Sequence, residues 1–213
     1  MRSVDMTARA RIRDAAMQLF AEQGAKAATT RAVAEAAGVT PGLVFHHFGT
    51  EQGLRDACDA YVLEYLQQGI KQALDEQGLA DPGYLASVYQ SAPLVLRYLA
   101  RALVDGSTAA ASLFDNVVAL TEEYLAAHPS QPPASGSDPR AQAAVLIAMR
   151  LGMWVLHPHL ARALGADSLT PELLSRVSSA LVDIMPPDFA GPDLITLART
   201  GLDRYQQTTT RSE

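Results

Sequence analysis

A single cysteine, Cys58, excludes an internal disulfide and with it the stapled framework of a small secreted domain. Only 6% of the residues are aromatic, and lysine occurs twice, at Lys26 and Lys71, against fifteen arginines. Long apolar runs are missing as well. The longest, Ala143 to Leu156, is interrupted by Arg150 and falls short of the roughly 20 residues that span a bilayer, so no membrane partner is expected. Met1 to Met17 carries arginines but no apolar stretch of the signal-peptide kind, and the chain reads as cytoplasmic. What is abundant is alanine and aliphatic side chains. At 48% apolar, 213 residues suffice for one ample core or two small ones, which excludes disorder.

The net charge of −6 argues against a polyanionic partner only if it is spread evenly. Residues 1 to 55 hold seven basic side chains against five acidic, a balance of +2, while the remainder carries ten against eighteen, a balance of −8. The asymmetry suits a small polyanion-binding head on an acidic body.

Apolar residues repeat at three and four along nearly the whole chain, and period-two alternation is hard to find, so the fold class expected is all-α. Ile12, Ala15, Ala16, Leu19 and Phe20 form one stripe on a first helix that Gly24 ends. Thr30 is placed to cap a brief helix to about Ala37, terminated by Gly38. Thr40 and Pro41 then start a third helix of barely two turns, with the hydroxyl at the cap and the proline where its missing N–H costs nothing. Gly49 breaks it. Two short helices joined by a tight glycine turn are a helix-turn-helix. A long helix is expected from Thr50 to about Gln77, with Leu54, Ala57, Cys58, Tyr61, Tyr65 and Leu66 inward, closed by Gly78 and an Asp81-Pro82-Gly83 turn. Further helices are expected at 83–104, broken near Pro93, and at 107–127, 139–164, 171–185 and 192–206. The Pro-, Ser- and Gly-rich stretch at 129–138 reads as a solvated loop.

Ala15-Ala16, Leu19-Phe20, Gly24, Thr29-Thr30, Ala34, Ala37-Gly38-Val39, Gly42, Phe45-His46-His47-Phe48 and Leu54 together make this span resemble the amino-terminal domain of the TetR family of bacterial transcriptional regulators. The resemblance implies a three-helix DNA-binding head at 1–50 and a larger helical effector-binding and dimerisation domain at 51–213. It implies a ligand-responsive regulator, most simply a repressor, that binds a palindromic operator as a homodimer and is released by a small apolar effector. An alternative is a helical ligand-binding or catalytic protein whose head no longer binds DNA. Ala34 has to be small where the short helices cross, and the exposed face of the second then enters a major groove. Thr40, Gly42, Leu43 and His46 are candidates to face bases, and Pro41 belongs to the same DNA-binding surface; Leu43 suits a thymine methyl. Thr29, Thr30, Arg31 and His47 suit phosphates, which position without reading sequence. Phe45 belongs to the same surface, but the family usually has tyrosine there, whose hydroxyl reaches a phosphate. Glu51 is a second departure, since lysine is usual; an acidic side chain in a first helical turn does complement the helix dipole.

The remaining three-quarters carries no motif beyond its helices. Its large inward side chains, Tyr61, Tyr65, Phe114, Met149, Met153 and Trp154, are candidate ligand-binding residues, with Tyr65, Phe114, Met149 and Met153 expected in one cavity. Arg150 inside the apolar tract is either ion-paired to an acidic neighbour or the polar anchor of a ligand. Ala141, Ala144, Val145, Ala148, Gly152 and Val155 form a small-residue seam suited to dimerisation through the helices at 139–164 and 171–185. His157-Pro158-His159 reads as a helix-end pair, since residues two apart face different directions. Cys58 reads as a small hydrophobe. No catalytic constellation, metal site or cofactor is expected, and the chain is not read as an enzyme.

Overall fold

The computed structural model describes residues 2–24, 28–73, 81–127, 138–184 and 192–210; these hold helices and no strand. In chain order they are α1 (Arg2–Gln23), α2 (Thr30–Ala37), α3 (Pro41–Phe48), α4 (Glu51–Ala73), α5 (Pro82–Val104), α6 (Thr108–Ala127), α7 (Pro139–Val155), α8 (His157–Ala163), α9 (Pro171–Ile184) and α10 (Pro192–Thr210). The all-α expectation holds. No single described helix is long and apolar enough to cross a membrane; α7 and α8 pass that test only together, and they meet at a 73° bend.

The described residues fall into two compact units. The first comprises 1–67 with 94–113, and the second 68–93 with 114–213. The three-helix head therefore lies within a larger unit that also takes in most of α4, the end of α5 and the start of α6.

In the first unit α1 packs on α2 and α3, and α2 on α3. Ile12, Ala16, Met17 and Phe20 are buried from α1, Val33 and Ala34 from α2, and Val44 from α3. Of the expected stripe, Ala15 and Leu19 are only half-buried, and Met17 takes the deeper place. On α4 the fully buried positions are Leu54, Cys58 and Val62, spaced at four, so Val62 replaces the larger Tyr61 and Tyr65 on the innermost line. The α2 cap is corrected by one residue. Thr29, with extended backbone, accepts from the Ala32 N–H at 3.3 Å, and Thr30 is already helical.

The second unit closes around Tyr89, Leu174, Val182, Ile195, Leu202 and Tyr205, with Leu85, Ala86, Trp154, Leu169 and Ala198 packed against them. The Tyr89 and Tyr205 rings meet edge to face at 5.0 Å.

Three further expectations are corrected. Asp81-Pro82-Gly83 starts α5 instead of forming a turn: the Asp81 carboxylate accepts from the Gly83 N–H at 2.9 Å, with Pro82 in the first helical position. α5 runs through Pro93 unbroken. A proline inside a helix costs about 3 kcal/mol, but Tyr89 and Ala92 before it and Val95, Tyr98 and Leu99 after it are all buried, at about 1.5–3 kcal/mol for each large side chain. The helix expected at 139–164 is instead two. Pro158 lies in the first turn of α8, where its absent N–H is harmless, and would leave the Trp154 carbonyl four residues back without a donor. The His157 ring takes that place, with Nδ1 2.8 Å from the Trp154 oxygen. Gly78 and most of the 129–138 stretch lie outside the described residues.

Candidate nucleic-acid interface

Local chemistry sets the angle between α2 and α3. Gly38 adopts φ +63° and its N–H, with that of Val39, returns to the last carbonyls of α2. Two residues on, Thr40 accepts from the Leu43 N–H at 3.3 Å and Pro41 opens α3. Val44 is turned into the head core. The opposite face of α3 is thereby left to solvent: Thr40, Pro41, Gly42, Phe45 and His46 are exposed, and Leu43 and His47 half-buried. Thr29 and Arg31 at the start of α2 are also exposed, and Thr30 is half-buried. Every residue singled out from the sequence thus lies on α3 or at the amino end of α2.

Two glycines of this region differ in what they serve. A Cβ on Gly53 would lie 2.2 Å from the Phe48 carbonyl oxygen, so α4 comes close to the end of α3 only because residue 53 has no side chain. Gly42 has negative φ, and a Cβ there would meet only the Thr40 hydroxyl, at 3.9 Å. The fold does not need glycine at 42, where alanine would favour the helix by about 1 kcal/mol. One turn along the same face, Phe45 leaves 68% of its surface in solvent. A bare backbone thus lies beside an uncovered aromatic ring, flanked by hydroxyls and an imidazole.

Glu51 has a partner that the sequence did not announce. Its Oε1 accepts from the Thr30 N–H at 3.2 Å and from the Thr30 hydroxyl at 3.4 Å, tying the first turn of α4 to the first turn of α2. Three arginine–aromatic contacts hold the same unit together: Arg9 stands 5.4 Å from the Phe48 ring, Arg13 3.5 Å from Tyr61 and Arg55 5.2 Å from Phe20. The Cys58 thiol is fully buried, and dehydration pushes its pKa up to about 12, so it stays protonated and inert.

The candidate ligand residues are divided between the units. Tyr61 and Tyr65 belong to the first, with ring centroids 6.5 Å apart, and the Tyr61 ring is engaged by Arg13. Phe114, Met149, Arg150, Met153 and Trp154 belong to the second. There Trp154 packs against the core, Phe114 and Met153 are half-buried, and Met149 is 56% exposed. Arg150 is exposed as a residue, yet enough protein surrounds its guanidinium that lost hydration lowers its pKa, an effect that Tyr84 opposes. Among the described residues no carboxylate forms an ion pair with it. No group of three His, Cys, Asp or Glu among those residues is placed to hold a metal.

Comparison with known proteins identifies the class. Residues 12–58 match the model of bacterial regulatory proteins of the tetR family, and residues 90–187 match that of the tetracyclin repressor-like C-terminal domain. The chain is 34% identical over 183 residues to an HTH-type transcriptional repressor of Mycobacterium tuberculosis, covering 84% of this chain and 89% of that protein. It is 42% identical over 129 residues to the HTH-type transcriptional regulatory protein RaaS of the same organism, a match that spans 58% of the length of RaaS. Among solved structures, a gamma-butyrolactone receptor described as ArpA-like superposes with TM-score 0.57 at 19% identity, over 96% of this chain and all of the other. A transcriptional regulator of Rhodococcus sp. Rha1 gives 0.55 at 18%, over 94% of this chain and 96% of the other. The chain belongs to the TetR family of transcriptional regulators. Its relatives are regulators and not enzymes.

Proposed function

We propose that the protein is a dimeric repressor that reads a pseudopalindromic operator with α3 of each protomer and is released by a largely apolar small molecule. The observation that carries the DNA reading is the α3 face, where Gly42 answers no internal need and Phe45 is uncovered. In this reading Thr40, Pro41, Gly42, Leu43 and His46 approach base edges, while Thr29, Thr30, Arg31, Phe45 and His47 meet the backbone. Dimerisation uses α7 and α9. Val145 and Met149 lie one turn apart on α7 with 59% and 56% of their surfaces exposed, beside the small residues Ala141, Ala148 and Gly152, and Leu156, which caps the helix, is 56% exposed; Ile184 of α9 is 70% exposed.

The effector reading is supported by the half-buried Phe114, Met153 and Trp154 of the second unit, with Arg150 as the polar anchor. α4 belongs to the first unit up to Gln67 and to the second from Gln68, so a ligand that moves this helix acts on the segment that follows the head. About 2.7 kcal/mol of coupling gives a hundredfold release.

The competing reading, a head that has lost DNA binding, has two residues in its favour. Phe45 lacks the tyrosine hydroxyl, and Glu51 places a carboxylate at the start of α2. Selection of duplexes from a random pool by the intact protein decides between them. Enrichment of an inverted repeat supports the repressor. Failure to enrich any sequence at low salt removes it.

A further inference from the structure

The first turns of α2 and α4 meet through one carboxylate. Thr50 caps α4, its hydroxyl accepting from the Gly53 N–H at 2.9 Å and its carbonyl from the Leu54 N–H at 3.0 Å. Leu54 of α4 and Val33 of α2 are buried, and Gly53 lets α4 come close to the end of α3, so Glu51 is carried to the amino end of α2. An acidic side chain in a first turn ordinarily serves the dipole of its own helix. Glu51 reaches across to another: its Oε1 accepts from the Thr30 N–H at 3.2 Å and from the Thr30 hydroxyl at 3.4 Å. The Ala32 N–H goes to the Thr29 hydroxyl and the Val33 N–H to the Thr29 carbonyl, so three N–H groups of that turn have acceptors inside the chain.

That carboxylate stands where the DNA reading needs another anion. In that reading Thr30 meets a backbone phosphate, and the donors that suit a phosphate, an N–H at a helix start and a hydroxyl, are the two that Glu51 holds. A carboxylate and a phosphate oxygen cannot both accept from one N–H without bringing two like charges into contact. The internal contact is also easily opened. Both bonds are long for a charged acceptor, whose usual distance is about 2.7–2.9 Å, and Glu51 is exposed to solvent.

We propose that Glu51 is an intramolecular competitor for the DNA backbone: it fills the phosphate position at Thr30, and a duplex gains that contact only after displacing it. This competition rests on the DNA reading of α3. It differs from the mere absence of a basic residue at 51, since the carboxylate withdraws two donors as well as adding a like charge. Because Glu51 is carried by α4, the position of that helix sets whether Thr30 finds its acceptor inside the chain or on the duplex.

The test is titration of a labelled random-sequence duplex at low salt with the full chain and with variants that separate reach from charge. Glu51→Asp keeps the charge but is one methylene too short for Thr30, whereas Glu51→Ala removes both; residue 51 is exposed, so each is expected to fold. Displacement predicts binding about threefold tighter or more in Glu51→Asp, and tighter again in Glu51→Ala. Repulsion alone leaves Glu51→Asp equal to wild type, and that result overturns the proposal while leaving the DNA reading intact. The amide proton resonance of Thr30 is the second readout. It should differ between wild type and Glu51→Asp in the free chain and coincide in their duplex complexes, where a phosphate has taken the N–H; a difference that persists in the complex also overturns the proposal. Binding by the variants where wild type shows none supports it. No binding by wild type or by either variant removes the DNA reading, and the proposal with it.

Discussion

α3 and α7 both carry large apolar side chains in solvent, Phe45 on one and Val145, Met149 and Val155 on the other. On α3 the uncovered ring stands among a bare glycine, a threonine and a histidine, so the face is apolar at one point and rich in donors around it. On α7 the exposed side chains are separated by alanine and glycine, and the face is apolar along its length. The first suits a polar, grooved partner whose backbone must come close. The second suits another copy of itself, since two such faces remove each other from water. Exposure alone does not distinguish a DNA surface from a protein surface; the residues between the exposed ones do.

The comparison breaks first at Gly42. A glutamate there places a carboxylate toward phosphates at the closest approach, and Gly42→Glu is expected to weaken operator binding by more than a hundredfold while sedimentation and helicity stay as in wild type. An unchanged electrophoretic shift would show that α3 is not the reading helix. The matching change on α7 is Val145→Glu with Met149→Glu. Sedimentation should fall from twice 22.7 kDa to 22.7 kDa, and operator affinity should drop by about a hundredfold or more because half-sites are then bound singly. A variant that remains dimeric moves the interface elsewhere.

A smaller effect is expected at Glu51. Glu51→Lys removes a like charge and adds one neutralised phosphate, so affinity should rise on operator and on scrambled duplex alike, and the slope of log K against log salt should steepen by about one unit. The loss of its hydrogen bonds to Thr30 costs the head about 1 kcal/mol, visible as a lower Tm. Equal slopes for wild type and variant would place residue 51 away from DNA. The smallest effect is the most discriminating. Gly42→Ala should stabilise the fold by about 1 kcal/mol, because the added methyl meets only the Thr40 hydroxyl, and yet weaken operator binding several-fold. If it stabilises and binds as wild type does, the glycine has no partner outside the chain.

The sequence is most informative where one backbone signal acts on its near neighbours. Thr40-Pro41 starts α3, and Gly38 and Gly49 stop α2 and α3, with positive φ at both glycines. It is least informative at the prolines. Pro93 and Pro158 carry the same local signal, but α5 continues through the first and the chain bends at the second. Buried side chains flank Pro93 on both sides and the helix continues through it, whereas near Pro158 the exposed Leu156 offers no such hold and His157 relieves the orphaned Trp154 carbonyl.

The sequence by itself determined an all-helical chain, a helix-turn-helix with its caps, the face of α3 left to solvent and the family those residues imply, because all of these follow from hydrophobic period and from backbone preferences a few residues long. Tertiary structure decided the rest. Gly53 is needed because a carbonyl from α3 passes 2.2 Å from where its Cβ would be, and Glu51 is engaged because Thr30, twenty-one residues earlier, is brought beside it. A polar cavity is lined by Arg55, Asp56 and Asp59 of α4 together with Tyr98 and Arg101 of α5, some forty residues away. Contacts of that kind join residues with no fixed spacing in the chain, and a single sequence carries no period from which to read them.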